Sequence, residues 1–534
     1  MPKKLKIAAW VAAAVVGTLV VLTIAAAAGS RTEPLRKLVV ATLEDRLDSH
    51  VELKAFSVDL FPTVTVQGSG LTLRLRTVTD AAVPPLIEIE SFTVHCGIVD
   101  LLRRPRRFKH VTLEKLVVNI PPGGLKKNGN PIGEAARPRD AAETAPSTAA
   151  AAGARRESPI IVDELVADGA LLRIIPRREG KQPKEFAIHS LTMRSLGIAE
   201  QMPFTAILTN PLPKGQIETA GTFGPWQKGS PGATPLAGYY SFQKADLDTI
   251  KGIGGTLDSK GSFQGELARI AVKGETHVPD FHLDISRQPV ALSTSFEAVV
   301  DGTDGDTYLN EVNAQFLQTS LTAKGAVTGT KGVKGRTVKL NVRIQEGRIE
   351  DVLRLAVKGD KPLLVGRVGL KTDFELPPGD RDVVEKLLLA GVFDVDAAKF
   401  TDAGVQKKLS GMSHRARGRD PEQAAENVVS DLSGRFALKD GSLSFSDLSF
   451  GLPGALVRLH GSYGLRSEAI AFEGTLRMDA TISEAAGGGL KGFLLKAVDP
   501  VFRKKGAGAL VPLKIGGTRD KPQFGLDVGK VFKQ

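Results

Sequence analysis

From residue 51 almost to the C-terminus, apolar and polar residues alternate with period two, and this confines the chain to β-structure. Leu71-Thr-Leu73-Arg-Leu75-Arg, Ile87-Glu-Ile89-Glu, Phe92-Thr-Val94-His, Val338-Lys-Leu340-Asn-Val342-Arg-Ile344, Leu443-Ser-Phe445-Ser and Val457-Arg-Leu459-His are examples. Successive side chains of a strand point to opposite faces, so each run predicts one apolar and one polar face. Glycine, at 57 of 534 residues, exceeds the usual ~7%, and aromatics make up only 5%. Gly68, Gly70 and Pro84-Pro85 read as turns between strands. Units of glycine, strand, turn and strand recur without a fixed period, which points to an elongated sheet or β-solenoid rather than a compact sandwich.

Helical spacing interrupts the pattern. Leu35, Leu38, Val39, Leu43 and Leu47 fall on one face of PLRKLVVATLEDRLDS, either capping the next region or lying on a bilayer surface. Short helices are expected at Ile349–Val357, Asp380–Leu389, Pro421–Leu432 and Leu490–Phe502. Between Gly133 and Pro159 there is no Val, Ile, Leu or Phe. Such a segment has little to offset its ordering entropy and reads as a disordered, Ala-rich insertion.

Residues Ile7 to Ser30 carry no charge and follow Lys3, Lys4 and Lys6. About 20 apolar helical residues span a ~30 Å hydrocarbon core, so the run is long enough for a transmembrane anchor with a cytoplasmic tip. Ala26-Ala27-Ala28 also imitates a signal-peptide cleavage site, which leaves anchor and cleaved signal open. Either reading exports the remainder.

Catalytic chemistry finds no foothold. The single cysteine, Cys96, excludes an intrachain disulfide and Cys-based metal sites. Phosphate-loop, zinc-protease and nucleophile-elbow motifs are missing. His277, Asp280, His282 and Asp284 in HVPDFHLD could hold a cation or form a hydrated polar face. Asp301, Asp304 and Asp306 superficially suggest a calcium loop, but Asp-Gly pairs more commonly make turns. The expectation is therefore a non-enzyme without cofactor or metal. The net charge of +12 favours an anionic surface, for which phospholipid is as good a candidate as nucleic acid.

The N-terminal run, LFPTVTVQGSGLTLRLRT and PLIEIESFTVHCGIVDLLRRPRRFKHVTLEKLVVNIPPG together resemble the start of AsmA-like proteins of Gram-negative envelopes. The resemblance returns in GRFALKDGSLSFSDLSFGLPGALVRLHGSYGL and in the closing LKGFLLKAVDPVFRKKG and IGGTRDKPQFGLDV. It implies a mainly β protein, with an N-terminal transmembrane helix followed by an elongated, groove-like antiparallel sheet and short amphipathic helices. The expected domains are an anchor at 1–30, an AsmA-like β region at 31–128, the insertion at 129–158, which departs from the family pattern, a central groove region at 159–419 and a C-terminal AsmA-like region at 420–534. The implied function is handling of phospholipid by an inner-membrane-anchored periplasmic protein, in lipid transport and outer-membrane biogenesis. The alternative is a scaffold or assembly factor for outer-membrane proteins. The expected partners are phospholipid, the inner membrane and envelope assembly proteins, with no nucleic acid.

An open apolar sheet face cannot remain in water, so it must either hold acyl chains or pack as a protein core. Candidate lining residues are Leu71, Leu73, Leu75, Ile87, Ile89, Phe92 and Val94 near the start. Nearer the end they are Val457, Leu459, Phe472, Leu476 and Met478. Arg103, Arg104, Arg106, Arg107 and Lys109 form a basic cluster that either meets anionic headgroups, with Phe108 dipping into the interface, or is a solvated loop. Leu490, Phe493 and Leu494 follow three glycines and form either a cap or a mobile gate.

Overall fold

The computed structural model describes residues 32–526, apart from 48, 60–62, 76–83, 98, 101–105, 121–125, 128–129, 132–159, 175–183, 198–199, 226, 228–229, 303–304, 331–332, 334, 360, 419–427, 481–507 and 519–520. The expected anchor and the segment containing Leu490, Phe493 and Leu494 lie outside the described residues. Among these, no helix is long and apolar enough to cross a membrane.

The protein is mainly β and divides into two compact units. The first comprises 1–249, 257–274 and 299–305, and the second 250–256, 275–298 and 306–534.

The first unit opens with helix α1 (Thr32–Leu47), matching the amphipathic stretch to within two residues. Strands β1 (Ser49–Glu52) and β2 (Ala55–Asp59) both pair with β3 (Val64–Leu75). Gly68 and Gly70 are therefore inside a strand and not turns. Gly70 adopts φ +63° opposite the break between β1 and β2, a conformation that favours glycine. The sheet continues through β4 (Ile87–Cys96) and β5 (Arg106–Ile120). A short hairpin, β6 (Lys126–Lys127) with β7 (Asn130–Pro131), stands apart. Then come β8 (Ile160–Ile174), β9 (Lys184–Leu196), β10 (Met202–Pro211), β11 (Lys214–Phe223) and β12 (Pro235–Asp246).

One pair departs from the antiparallel expectation. β5 and β8 run parallel, from Arg106 opposite Ile160 to Ile120 opposite Ile174. Parallel neighbours need a long return, here about 50 Å for 15 residues at ~3.3 Å each. The Ala-rich stretch lies in that return, so it connects two neighbouring strands of one sheet.

The core of this unit explains its stability. Val39 and Leu43 of α1 pack with Val51, Leu53, Val64, Val66 and the apolar faces of β3 to β5 and β8. Helix α1 thereby supplies the second layer that a half-apolar sheet requires.

Strands β13 (Ile253–Gly254), β14 (Thr256–Glu266), β15 (Arg269–Leu283) and β16 (Val290–Val300) follow. The second unit then runs through β17 (Thr307–Phe316), β18 (Thr319–Gly329), β19 (Arg336–Arg348), β20 (Leu364–Leu376) and β21 (Leu388–Phe400). It ends with β22 (Ser430–Lys439), β23 (Ser442–Leu452), β24 (Ala455–Gly464), β25 (Ile470–Met478), β26 (Ala509–Thr518) and β27 (Lys521–Leu526). From β17 onward each strand pairs antiparallel with the next in sequence.

Among the described residues, three helices interrupt this meander. α2 (Ile349–Ala356) falls where one was expected, α3 (Val383–Lys386) is a single turn, and α4 (Ala403–Ala416) was not anticipated. Its signal was present: Asp402 accepts a hydrogen bond from Val405 N at 2.8 Å as N-cap, and Val405, Leu409, Met412 and Ala416 share helical spacing. Conversely, Leu432 belongs to β22, not to a helix over Pro421–Leu432, because pairing with Val395 puts it on the sheet's apolar face. Leu388 and Leu389 likewise begin β21.

Candidate functional site

Among the described residues, helices cover the apolar face of the second unit towards one end of its strands. Ile349, Val352 and Leu353 of α2 pack on Ile344, Leu364, Val368, Val395 and Ala398. Leu409 and Met412 of α4 pack on Ala416, Val428, Leu452 and Ala455. Register shifts at Ile344/Gly347, Val365/Arg367 and Val395/Ala398 lie beside these contacts, and such bulges bend strands locally.

Further along the strands, α2 and α4 make no contact in these clusters. One cross-strand row runs Val312, Ala323, Val342, Thr372, Gly391, Phe436, Phe445, Gly461, Phe472 and Ile515, from β17 to β26. Every member is half-buried. None is charged. The row crosses nine strand spacings, about 43 Å at ~4.8 Å each.

Aromatic rings pave this face. Phe393 stands 6.1 Å from Phe436 and 6.3 Å from Phe445, and Phe445 stands 5.9 Å from Phe472, measured between ring centroids. Phe436 faces Gly391 across the β21–β22 pair, and Phe393 faces Gly434. In both cases the ring lies about 3 Å from where a Cβ of the glycine would stand. The missing side chains let the rings lie close to the sheet, which keeps the face shallow.

The sequence candidates divide accordingly. Leu459 and Phe472 are half-buried on this face, and Val457 is buried. Leu476 and Met478 pack against the cluster of α4. The N-terminal candidates have a different fate. Leu71, Leu73, Ile87, Ile89, Phe92 and Val94 are all at most 4% exposed, within the core that α1 completes. These six are buried in protein core, the alternative that the apolar face allowed. Leu75 lies in β3, with its side chain outside the described residues. Sequence reasoning left Phe393, Phe436 and Ile515 unnamed, although each sits in an alternating run.

The basic cluster is not an intact loop. Arg103 and Arg104 lie outside the described residues, whereas Arg106, Arg107 and Lys109 belong to β5. Arg107 and Lys109 are exposed, and Arg107 Nε donates to Asp163 Oδ1 at 2.7 Å. Phe108, expected to dip into a membrane, is 1% exposed and belongs to the core. Strand alternation turns it inward, opposite to its two basic neighbours.

The acidic motifs are engaged by backbone amides and one arginine. Asp280 Oδ1 accepts from Thr256 N at 2.7 Å, and Asp284 Oδ2 accepts from Gly252 N at 2.8 Å, just beyond the end of β15. Asp306 Oδ1 accepts from Gly329 N at 2.8 Å and Arg336 Nη1 at 2.6 Å. Asp304 lies outside the described residues. Among the described residues, no group of three or more His, Cys, Asp or Glu could hold a metal ion.

No family model, curated protein or solved structure matches this chain.

Proposed function

We propose that this chain is an AsmA-like, inner-membrane-anchored periplasmic protein that carries phospholipid acyl chains on the apolar face of its second unit. In this reading it serves lipid transport and outer-membrane biogenesis. The observation that carries it is the uncharged, part-buried row from Val312 to Ile515. A contiguous apolar surface of this length is costly in water and marks a binding surface. Its form suits acyl chains: it is linear and shallow, and at about 43 Å it exceeds the ~15 Å depth of one bilayer leaflet's hydrocarbon. The chemistry is transfer without reaction, since acyl chains are held by dispersion and exclusion of water alone. The uncharged N-terminal run and its leading lysines support the inner-membrane placement.

Substituting Phe445 by a photo-crosslinking amino acid tests the reading in living cells. Irradiation should attach phospholipid, detected by mass spectrometry of the purified protein. Attachment to protein alone at Phe445 and again at Phe472 would assign the face to a protein partner instead.

A further inference from the structure

Between the end of α2 and the start of β20, the second unit holds a small cavity of about 120 Å³. Its lining combines three cations, Arg354, Lys358 and Lys361, with the apolar side chains of Leu317 and Leu363. All three cations are exposed, and Leu363 is 59% exposed.

The acids beside this cavity are engaged elsewhere. Asp351, buried, accepts from Thr319 Oγ1 at 2.8 Å and from Gln318 N at 3.0 Å. Glu350 Oε1 lies 2.9 Å from Arg348 Nε, and Glu350 Oε2 accepts from Gly366 N at 3.2 Å. Among the described residues no acid pairs with Arg354, Lys358 or Lys361. Counting Asp360, the segment 354–361 still carries a net charge of +2. The loop is also held in place: Gln288 Nε2 donates to Val357 O at 3.2 Å and to Gly359 O.

Position gives this cluster its meaning. Leu353, which also lines the cavity, packs from α2 onto the cluster that Leu370 and Phe393 join from the apolar face. With Leu317 just past β17 and Leu363 just before β20, the cavity stands at the strand ends beside α2, where exposed leucines meet water. Exposed cations beside exposed leucines are the chemistry of a lipid headgroup boundary, where charge meets phosphate and apolar atoms meet the glycerol and upper chain.

Resting on the lipid reading above, we propose that Arg354, Lys358 and Lys361 bind the phosphate of a net-anionic phospholipid whose upper acyl chains lie on the exposed Leu317 and Leu363 beside α2. The site thereby selects anionic over zwitterionic lipid.

The test uses the full chain in an uncharged detergent and three photoactivatable probes. These are benzophenone-acyl phosphatidylglycerol, the matching phosphatidylcholine, and a benzophenone fatty methyl ester that has no headgroup. The wild type should capture all three, phosphatidylglycerol best. The variant R354Q/K358Q/K361Q alters only exposed side chains. It should bring phosphatidylglycerol capture down tenfold or more, to the phosphatidylcholine level, since each cation near an anionic surface contributes measurably. Its capture of the methyl ester should be unchanged. An undiminished preference for phosphatidylglycerol in that variant overturns the headgroup site and leaves the groove standing. Failure of the wild type to capture the methyl ester overturns the groove, and this site with it. Inorganic phosphate that displaces the phosphatidylglycerol probe, where chloride at matched ionic strength does not, makes this a site for free phosphate and overturns the lipid assignment.

Discussion

The ring of Phe92 in β4 lies across Gly68 of β3, so close that a methyl group on residue 68 would overlap it. The same pairing of glycine with phenylalanine recurs at Gly391 with Phe436 and at Gly461 with Phe472. At Gly68 it closes a core, and in the second unit it floors an open face.

Gly68 and Phe92 should therefore be energetically coupled. Gly68→Ala is expected to cost about 1–3 kcal/mol through overpacking, and Phe92→Ala about 3–5 kcal/mol through the lost ring. With the ring gone, the added methyl has room, so the double variant should cost less than the sum. Denaturant midpoints of the four proteins measure this, and strict additivity would refute the contact.

Thr319 should be needed for its hydroxyl. It is fully buried, donates to Asp351 at 2.8 Å and accepts from Arg348 N at 2.9 Å. Thr319→Val keeps the volume but leaves a buried carboxylate oxygen and an amide short of a partner, at a cost of about 1–3 kcal/mol. Thr319→Ser should recover most of that loss in urea unfolding followed by circular dichroism.

Cys96 sets an alkaline limit on the first unit. Burial, reinforced by the charge of Asp100, pushes its thiol up to about 11. The unfolded chain ionises this group near its ordinary value, so between about pH 9 and 11 the unfolded state has lost a proton that the folded state retains. Stability should fall as pH rises through that window, and Cys96→Ala should flatten this part of the slope. Below pH 9 the thiol should resist alkylation until the unit unfolds, as mass spectrometry can show.

A carboxylate should have opposite consequences on the two apolar faces. Ile89→Asp places a charge inside a core, where Ile89 is 4% exposed, and should unfold the first unit. Phe445→Asp stands on a part-buried row, so the protein should stay folded. If the row carries lipid, the Phe445→Asp protein should lose phospholipid capture by a crosslinker at Phe472. A folded Phe445→Asp protein that captures lipid normally would remove that row from the lipid path.

Much of the fold was legible in one dimension. Alternation marked the strands, and the spacing of apolar residues marked α1 and α2. The strand Val64–Leu75 was misread because glycine usually signals a turn, while here Gly68 makes room for a neighbour's ring. The helix Ala403–Ala416 was hidden by polar residues, although its N-cap and apolar stripe were in view.

The sequence by itself determined which residues share a face, since side-chain direction along a strand is a local property with period two. It could not determine what lies over that face. Ile89 in IEIE and Phe445 in LSFS read alike, as apolar residues flanked by polar ones. Only the tertiary structure separates them. Ile89 is buried in the cluster that Val39 and Leu43 of α1 join, while Phe445 is part-buried and stands outside the described clusters that α2 and α4 complete. Covering depends on contacts between residues far apart in the chain, and no local pattern encodes where a helix will land.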